Sequence, residues 1–365
     1  MSPTILHRDQ TMANELFAKD ASAKRREFGR IYPPNLDWLQ KQVTEPILEP
    51  DLPIVDTHYH VIDLPGFRYL ADELSADLSS GHRVEASVFV EAQTRYRKDG
   101  PEALRPVGET EFVAQMSGPT GTGLKEPPRL GSGIVGFADL TLGAGVEEVL
   151  AAHIEAGGGR FKGIRYATAL DESPEIVAHN KARRGVMQEN GFRAGLRVLG
   201  AMGLSFDAWV FFHQLDEVAQ IAQAFPELNI VVGHCGGPLG YGPYVGRREE
   251  VLATWRTNMA ALAKYPNISV KLGGVLMRLA TYDYLNVEVP LSSEALAGCL
   301  RPHITGCIEL FGAERCMFES NFPVEKMVTG YAVLWNAFKR ITADATLTEK
   351  LSLYSGTAKH IYRLG

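Results

Sequence analysis

The sequence predicts an α/β fold, a distorted (β/α)8 barrel of the TIM type with an N-terminal arm. From residue 54 onward, short runs rich in β-branched and aromatic residues alternate with longer segments of helical period, the pattern of parallel strands joined by crossover helices. Eight such runs occur, spanning about 265 residues, close to the ~250 typical of this barrel. An open doubly wound sheet is the alternative, but no GxGxxG or Walker-type glycine loop follows the early runs.

Residues 1–50 form the expected arm, charged and carrying the proline-containing pieces YPPNLDW and EPILEPDLP; no catalytic motif lies there. Residues 51–365 form the expected barrel. Its strand runs are IVDTHYH (54–60), VEASVFVEA (84–92), SGIVGFADL (132–140), RFKGIRYA (160–167), LSFDAWVFFH (204–213), LNIVVGHC (228–235), NISVKLGG (267–274) and RCMFES (315–320). Between them VEEVLAAHIEAG, FRAGLRVLGAMG, LDEVAQIAQAF and VLATWRTNMAALAKY have helical period, several ending in the Gly or Pro expected past a helix.

Composition narrows the function. The 365 residues are 45% hydrophobic with a net charge of −6, which suits a globular protein and argues against nucleic acid or anionic membrane as partner, since both need clustered Lys and Arg. A small molecule is the expected ligand, and the arm is compatible with a homodimer. Cys235, Cys299, Cys307 and Cys316 match no CxxC pattern and are too few for a disulfide scaffold. With a polar N-terminus and no run of about 20 apolar residues, the expected location is the cytoplasm.

In such a barrel the active-site groups sit at the C-terminal ends of the strands. Polar residues collect there: His58 and His60, Glu91 and Gln93, Asp139, Arg165, His213 and Gln214, His234, Lys271, and finally Glu319 and Asn321. Asp56, His58 and His60 alternate along one strand and are expected on its inward face. Two imidazoles there, with His234 from GHCGG, suit a zinc ion with an open position for water; the competing interpretation is hydrogen bonding within the barrel mouth. Arg165 at a strand end can grip a carboxylate or lactone oxygen or pair with a loop acid. His213 is a substrate contact or a helix-start residue. Lys271, costly in an apolar strand unless paired or functional, is expected to contact substrate or to pair with Glu319 or Asp56.

The ordered series of strand ends, with EPILEPDLPIVDTHYHVIDLPGFRYL, VFVEAQ, GETEFV, IVVGHCGGPLGYGPY, MFESNFPVEK and the closing GTAKHIYRL, resembles the amidohydrolase superfamily. Within it the likeness is to the lactonase-rich branch that includes 2-pyrone-4,6-dicarboxylate lactonase and sugar lactonases, from about residue 45 to the C-terminus. The resemblance implies a barrel in which His58 and His60 lie beside His234 and an acid of the eighth strand. It implies hydrolysis of a small lactone, acidic or aromatic, with one divalent metal, zinc or else manganese, or with none; related proteins include decarboxylases and hydratases, so decarboxylation, hydration or lactone isomerisation is the alternative.

Asn321 departs from the branch's aspartate. An amide is a poor base and a weaker ligand than a carboxylate. Glu319, two residues earlier and one methylene longer than aspartate, is the expected substitute base, with His234 or a metal behind it; base assistance contributes roughly 10² to 10⁴ in rate. Glu91, Gln93, Arg165, His213 and Lys271 are the expected substrate contacts, and the loops GYGPYVGRR and TYDYLN the expected cover.

Overall fold

The computed structural model describes residues 31–116, 129–176, 182–276 and 287–364; the first thirty residues of the arm and the TYDYLN loop lie outside them. Ten strands are present among the described residues: β1 Ile54–Tyr59, β2 Ile62–Leu64, β3 Phe67–Tyr69, β4 Val84–Val90, β5 Arg129–Gly136, β6 Phe161–Ala167, β7 Ser205–Trp209, β8 Ile230–Val232, β9 Ile268–Leu272 and β10 Cys316–Phe318. Eight of them form a parallel sheet in the order β1-β4-β5-β6-β7-β8-β9-β10, each inside one of the eight predicted runs or shifted from it by a few residues. β2 and β3 make a separate antiparallel hairpin just past β1.

The barrel closes where the first and last runs meet. Asn321 N donates to His58 O at 2.8 Å and His60 N to Phe322 O at 2.7 Å, and Tyr59 and Phe322 form an isolated parallel bridge. Side chains fasten the same seam: Asp56 Oδ1 accepts from Ser320 N at 2.9 Å, and Thr57 Oγ1 donates to Phe318 O at 2.9 Å.

The four helical segments form the helices Val146–Gly157, Asn190–Ala201, Leu215–Ala224 and Arg248–Leu262. Their apolar stripes pack on the outer face of the sheet in one large core, as a helix layer around a barrel must. A smaller cluster fills the barrel itself: Val55, Val88, Val90, Val135, Val231 and Met317, with Ala358 of the closing helix Thr357–Ile361 and Tyr362 just past its end. The described part of the arm is fastened to the helix Tyr331–Ile341: Asn336 brackets Leu48 N and Pro46 O, and Lys339 Nζ donates to Leu48 O and Glu49 O. No helix among the described residues is long and apolar enough to cross a membrane.

Candidate active site

The seam brings two predicted histidines into contact. His60 Nδ1 lies 2.8 Å from Val90 O; a carbonyl only accepts, so Nδ1 carries the proton and Nε2 is bare. His58 Nδ1 stands 2.7 Å from Glu319 Oε2, in a contact bent away from the ideal hydrogen-bond line. His234 Nδ1 is 2.8 Å from Glu319 Oε1, to which His234 N also donates at 3.1 Å. Burial would raise the Glu319 carboxyl, but the imidazoles of His234 and His58 hold it well below the usual range. Burial keeps His58 neutral, its pKa well below that of free imidazole, and lowers His60 to about 3 with help from the Arg165 charge.

A carboxylate can only accept, and with the His58 proton on the Nδ1 that faces it the His58 Nε2 is bare like that of His60. These two nitrogens are 3.1 Å apart. Two lone pairs at that distance repel unless a proton or a metal ion lies between them, and two nitrogens bound to one tetrahedral ion at about 2.0–2.1 Å stand roughly 3.3 Å apart. The donor set fits a divalent metal. His58, His234 and Glu319 also offer ligand atoms within 4.8 Å of one another. Both Glu319 oxygens face imidazole Nδ1 atoms, however, which makes Glu319 the outer carboxylate that orients the rings.

Local backbone builds this arrangement. His234 and Asn321 take left-handed φ values of 53° and 54°, a conformation that Asn tolerates better than most residues. A Cβ at Gly274, itself at φ +63°, would stand 1.9 Å from His234 Nδ1, and one at Gly273 2.6 Å from Glu319 Cγ. The paired glycines of KLGG clear the space for the His234–Glu319 contact, a signal legible in the sequence.

Above the histidines opens a cleft of about 220 Å³. Its polar lining includes His60, Glu91, Gln93, Arg165, His234 and Asn321, and its apolar wall comes from Ile62, Leu64 and Phe67 of the β2–β3 hairpin with Trp209 and Val324. Asn321 Nδ2 approaches Glu325 Oε1 at 3.4 Å. Arg165 pairs with Glu91: Nε donates to Oε1 at 2.8 Å and Nη2 to Glu91 O at 2.6 Å. Glu109 stands behind them, its Oε1 accepting from Ala92 N and Thr94 N. Burial, and then the charge of Glu91, push the Glu109 carboxyl well above its usual range. Glu109, Trp209 and the hairpin wall were not among the predicted site residues, because nothing in their sequence spacing places them at the cleft.

Four expectations change. Glu319, predicted to reach up towards water, lies fully buried beneath the imidazoles that occupy it and is not part of the cleft lining. Lys271 pairs neither with Glu319 nor with Asp56: its Nζ is 2.9 Å from Asp207 Oδ2 and 5.3 Å from the Tyr362 ring, below the cleft. Asp207 is further held by Tyr362 Oη at 2.7 Å and Ser205 Oγ at 3.2 Å. His213 sits in a short 3-10 turn with Nε2 3.1 Å from Leu170 O and is absent from the lining. Asp56 does not line the cleft: its Oδ1 accepts from His58 N at 3.3 Å and its Oδ2 from Tyr331 Oη of the outer helix at 3.0 Å. Asp139 and Gln214 are structural too, capping Thr141 N and bracing Leu170 N.

Comparison with known proteins agrees with this architecture. A family profile described as amidohydrolase matches residues 55–364. L-fucono-1,5-lactonase of Burkholderia multivorans is 27% identical over 63% of this chain and 71% of its own length. L-rhamnono-gamma-lactonase of Scheffersomyces stipitis is 22% identical over 85% of this chain and 96% of its own. A crystal structure of an amidohydrolase from Burkholderia multivorans with bound zinc superposes with a TM-score of 0.65 at 22% identity, covering 86% of this chain and 99% of that one.

Proposed function

This chain belongs to the amidohydrolase family, and from that premise we propose that it is a metal-supported hydrolase that opens a small lactone by attack of water on the ring carbonyl. The observation that carries the proposal is the 3.1 Å approach of His58 Nε2 to His60 Nε2, with His60 and His234 lining the cleft. The lactonase relatives support the choice of a cyclic ester. A divalent ion held by this pair, zinc or manganese, would supply Lewis acidity that activates water and polarises the carbonyl.

The chain's own residues supply the rest. His234 is the proposed base: Glu319 holds its Nδ1 proton, leaving Nε2 to take the proton of the attacking water, the division of labour of an acid–histidine pair. Glu319 positions both rings and exchanges no proton with substrate. Asn321 at the cleft wall orients the water or the carbonyl by hydrogen bonding, and Arg165 donates to a ring or substituent oxygen, with Gln93 as a further contact. The arm of residues 1–50 is proposed as the surface for a second copy of the chain.

The test is ring opening by the purified protein across a panel of neutral and carboxylated lactones, with and without added zinc or manganese, followed by acid release. Turnover that needs metal and falls at least about 10²-fold in His234→Asn supports the proposal; no ring opening under any of these conditions ends it. A second reaction class is favoured by one residue, Asn321, which removes the branch's carboxylate base. Carbon dioxide release, or an isomer formed without uptake of water, would point to decarboxylation or isomerisation instead.

A further inference from the structure

We infer that Glu91 is a specificity-determining residue: by neutralising Arg165 it makes the cleft select lactones with uncharged substituents over lactones that carry a carboxylate. The inference rests on the lactonase proposal and adds the charge class of its substrate.

Arg165 is the one Lys or Arg side chain in the cleft lining among the described residues. Two of its three guanidinium nitrogens are committed to Glu91, Nε at 2.8 Å and Nη2 at 2.7 Å from Oε1, with Nη2 also 2.6 Å from Glu91 O. Nη1 makes no hydrogen bond to a described residue. Glu91 is fully buried, so its carboxylate has no solvent to swing into. A substrate carboxylate that drew Arg165 away would strand a buried, unpaired charge, the costly outcome for any buried ion pair.

No other cation among the described residues can take over. Lys271 is spent on Asp207 and is 1% exposed. A carboxylate on the substrate would meet the Glu91 charge with Arg165 already cancelled. An uncharged hydroxyl, carbonyl or ring oxygen asks only for the donor that Nη1 still offers. The opposite wall, Ile62, Phe67, Trp209 and Val324, suits an apolar face of the same molecule. Charge complementarity is thereby used as discrimination, with repulsion against the wrong substrate as its active element.

The experiment compares two lactones of the same ring, one carrying a hydroxymethyl and the other a carboxylate at the same carbon, on wild type and on Glu91→Gln. Wild type is expected to prefer the hydroxymethyl lactone in kcat/KM by about tenfold or more, and Glu91→Gln to narrow or reverse that ratio by about tenfold, chiefly through the KM of the carboxylated substrate. A wild-type preference for the carboxylated lactone overturns the inference, as does a variant that loses activity equally on both. Should Glu91→Gln not fold, calorimetric binding of the corresponding neutral and carboxylated lactams to the wild-type protein decides the point, tighter carboxylated binding overturning it. The same binding ranks the two classes if neither lactone is opened, a result that removes the lactonase proposal and leaves the charge selectivity to be judged separately.

Discussion

His234 Nδ1 lies 2.8 Å from Glu319 Oε1, a contact that joins the end of β8 to the end of β10 and leaves no room for a side chain on Gly274. A methyl group there would stand 1.9 Å from the imidazole, on a backbone with φ +63°.

Gly274→Ala is therefore expected to be destabilised by roughly 2 kcal/mol or more from the positive φ and the clash, and to lose most activity because His234 is displaced. Urea unfolding together with kcat measures both. Wild-type stability and turnover would show that the ring is not held where the structure puts it.

The His58–His60 pair predicts metal content. Elemental analysis of protein dialysed against zinc or manganese should find about one ion per chain in wild type and a large fraction lost in His60→Gln, with a thermal transition that rises on metal addition only in wild type. Equal metal content in the two proteins would place the ion elsewhere.

The Lys271–Asp207 pair lies below the cleft, with Lys271 1% exposed. Lys271→Met should cost about 3–5 kcal/mol by stranding Asp207, and the double variant Lys271→Met/Asp207→Leu should recover part of it. If Lys271 instead binds substrate, KM will rise in Lys271→Met while the unfolding free energy stays near that of wild type.

Acid should weaken the fold. His153 and His82 are buried neutral, both lowered to about 4 by burial, His82 also by the Lys339 charge. The unfolded chain takes up a proton on each as pH falls below 6.5, whereas the folded protein resists until about 4, so stability is full above 6.5 and lost across that window, on the order of 3 kcal/mol per group. Asp56, raised to about 6 by burial, works in the opposite sense: its contribution is full below the unfolded pKa and is lost as pH rises through about 6. The net expectation is a melting temperature that falls between pH 6.5 and 4, with a slope lowered by about one proton in His153→Gln. A flat profile would mean that His153 is not held neutral between Thr110 Oγ1 and Phe137 O, which it contacts at 2.8 and 3.0 Å.

Much of this protein is legible in its sequence. Alternating apolar runs and helical segments reveal the eight barrel strands because burial imposes a period on each element taken alone. The same rule brings His58, His60, Arg165, His234 and Asn321 to strand ends, and the seam joining the first and last runs turns IVDTHYH and MFESNFP into one site. Partner choice is different. Whether Glu319 faces water or two imidazoles depends on the left-handed turns at His234 and Asn321 and on the glycines opposite. Lys271 meets Asp207, and not an acid of its own neighbourhood, because the barrel interior layers β7 against the closing Tyr362. Sequence by itself determined the fold and the inventory of polar groups at the barrel mouth. Tertiary structure alone decided which of them pair, since a buried charge or proton is settled by the atoms within a few ångströms of it, and those come from strands far apart in the chain.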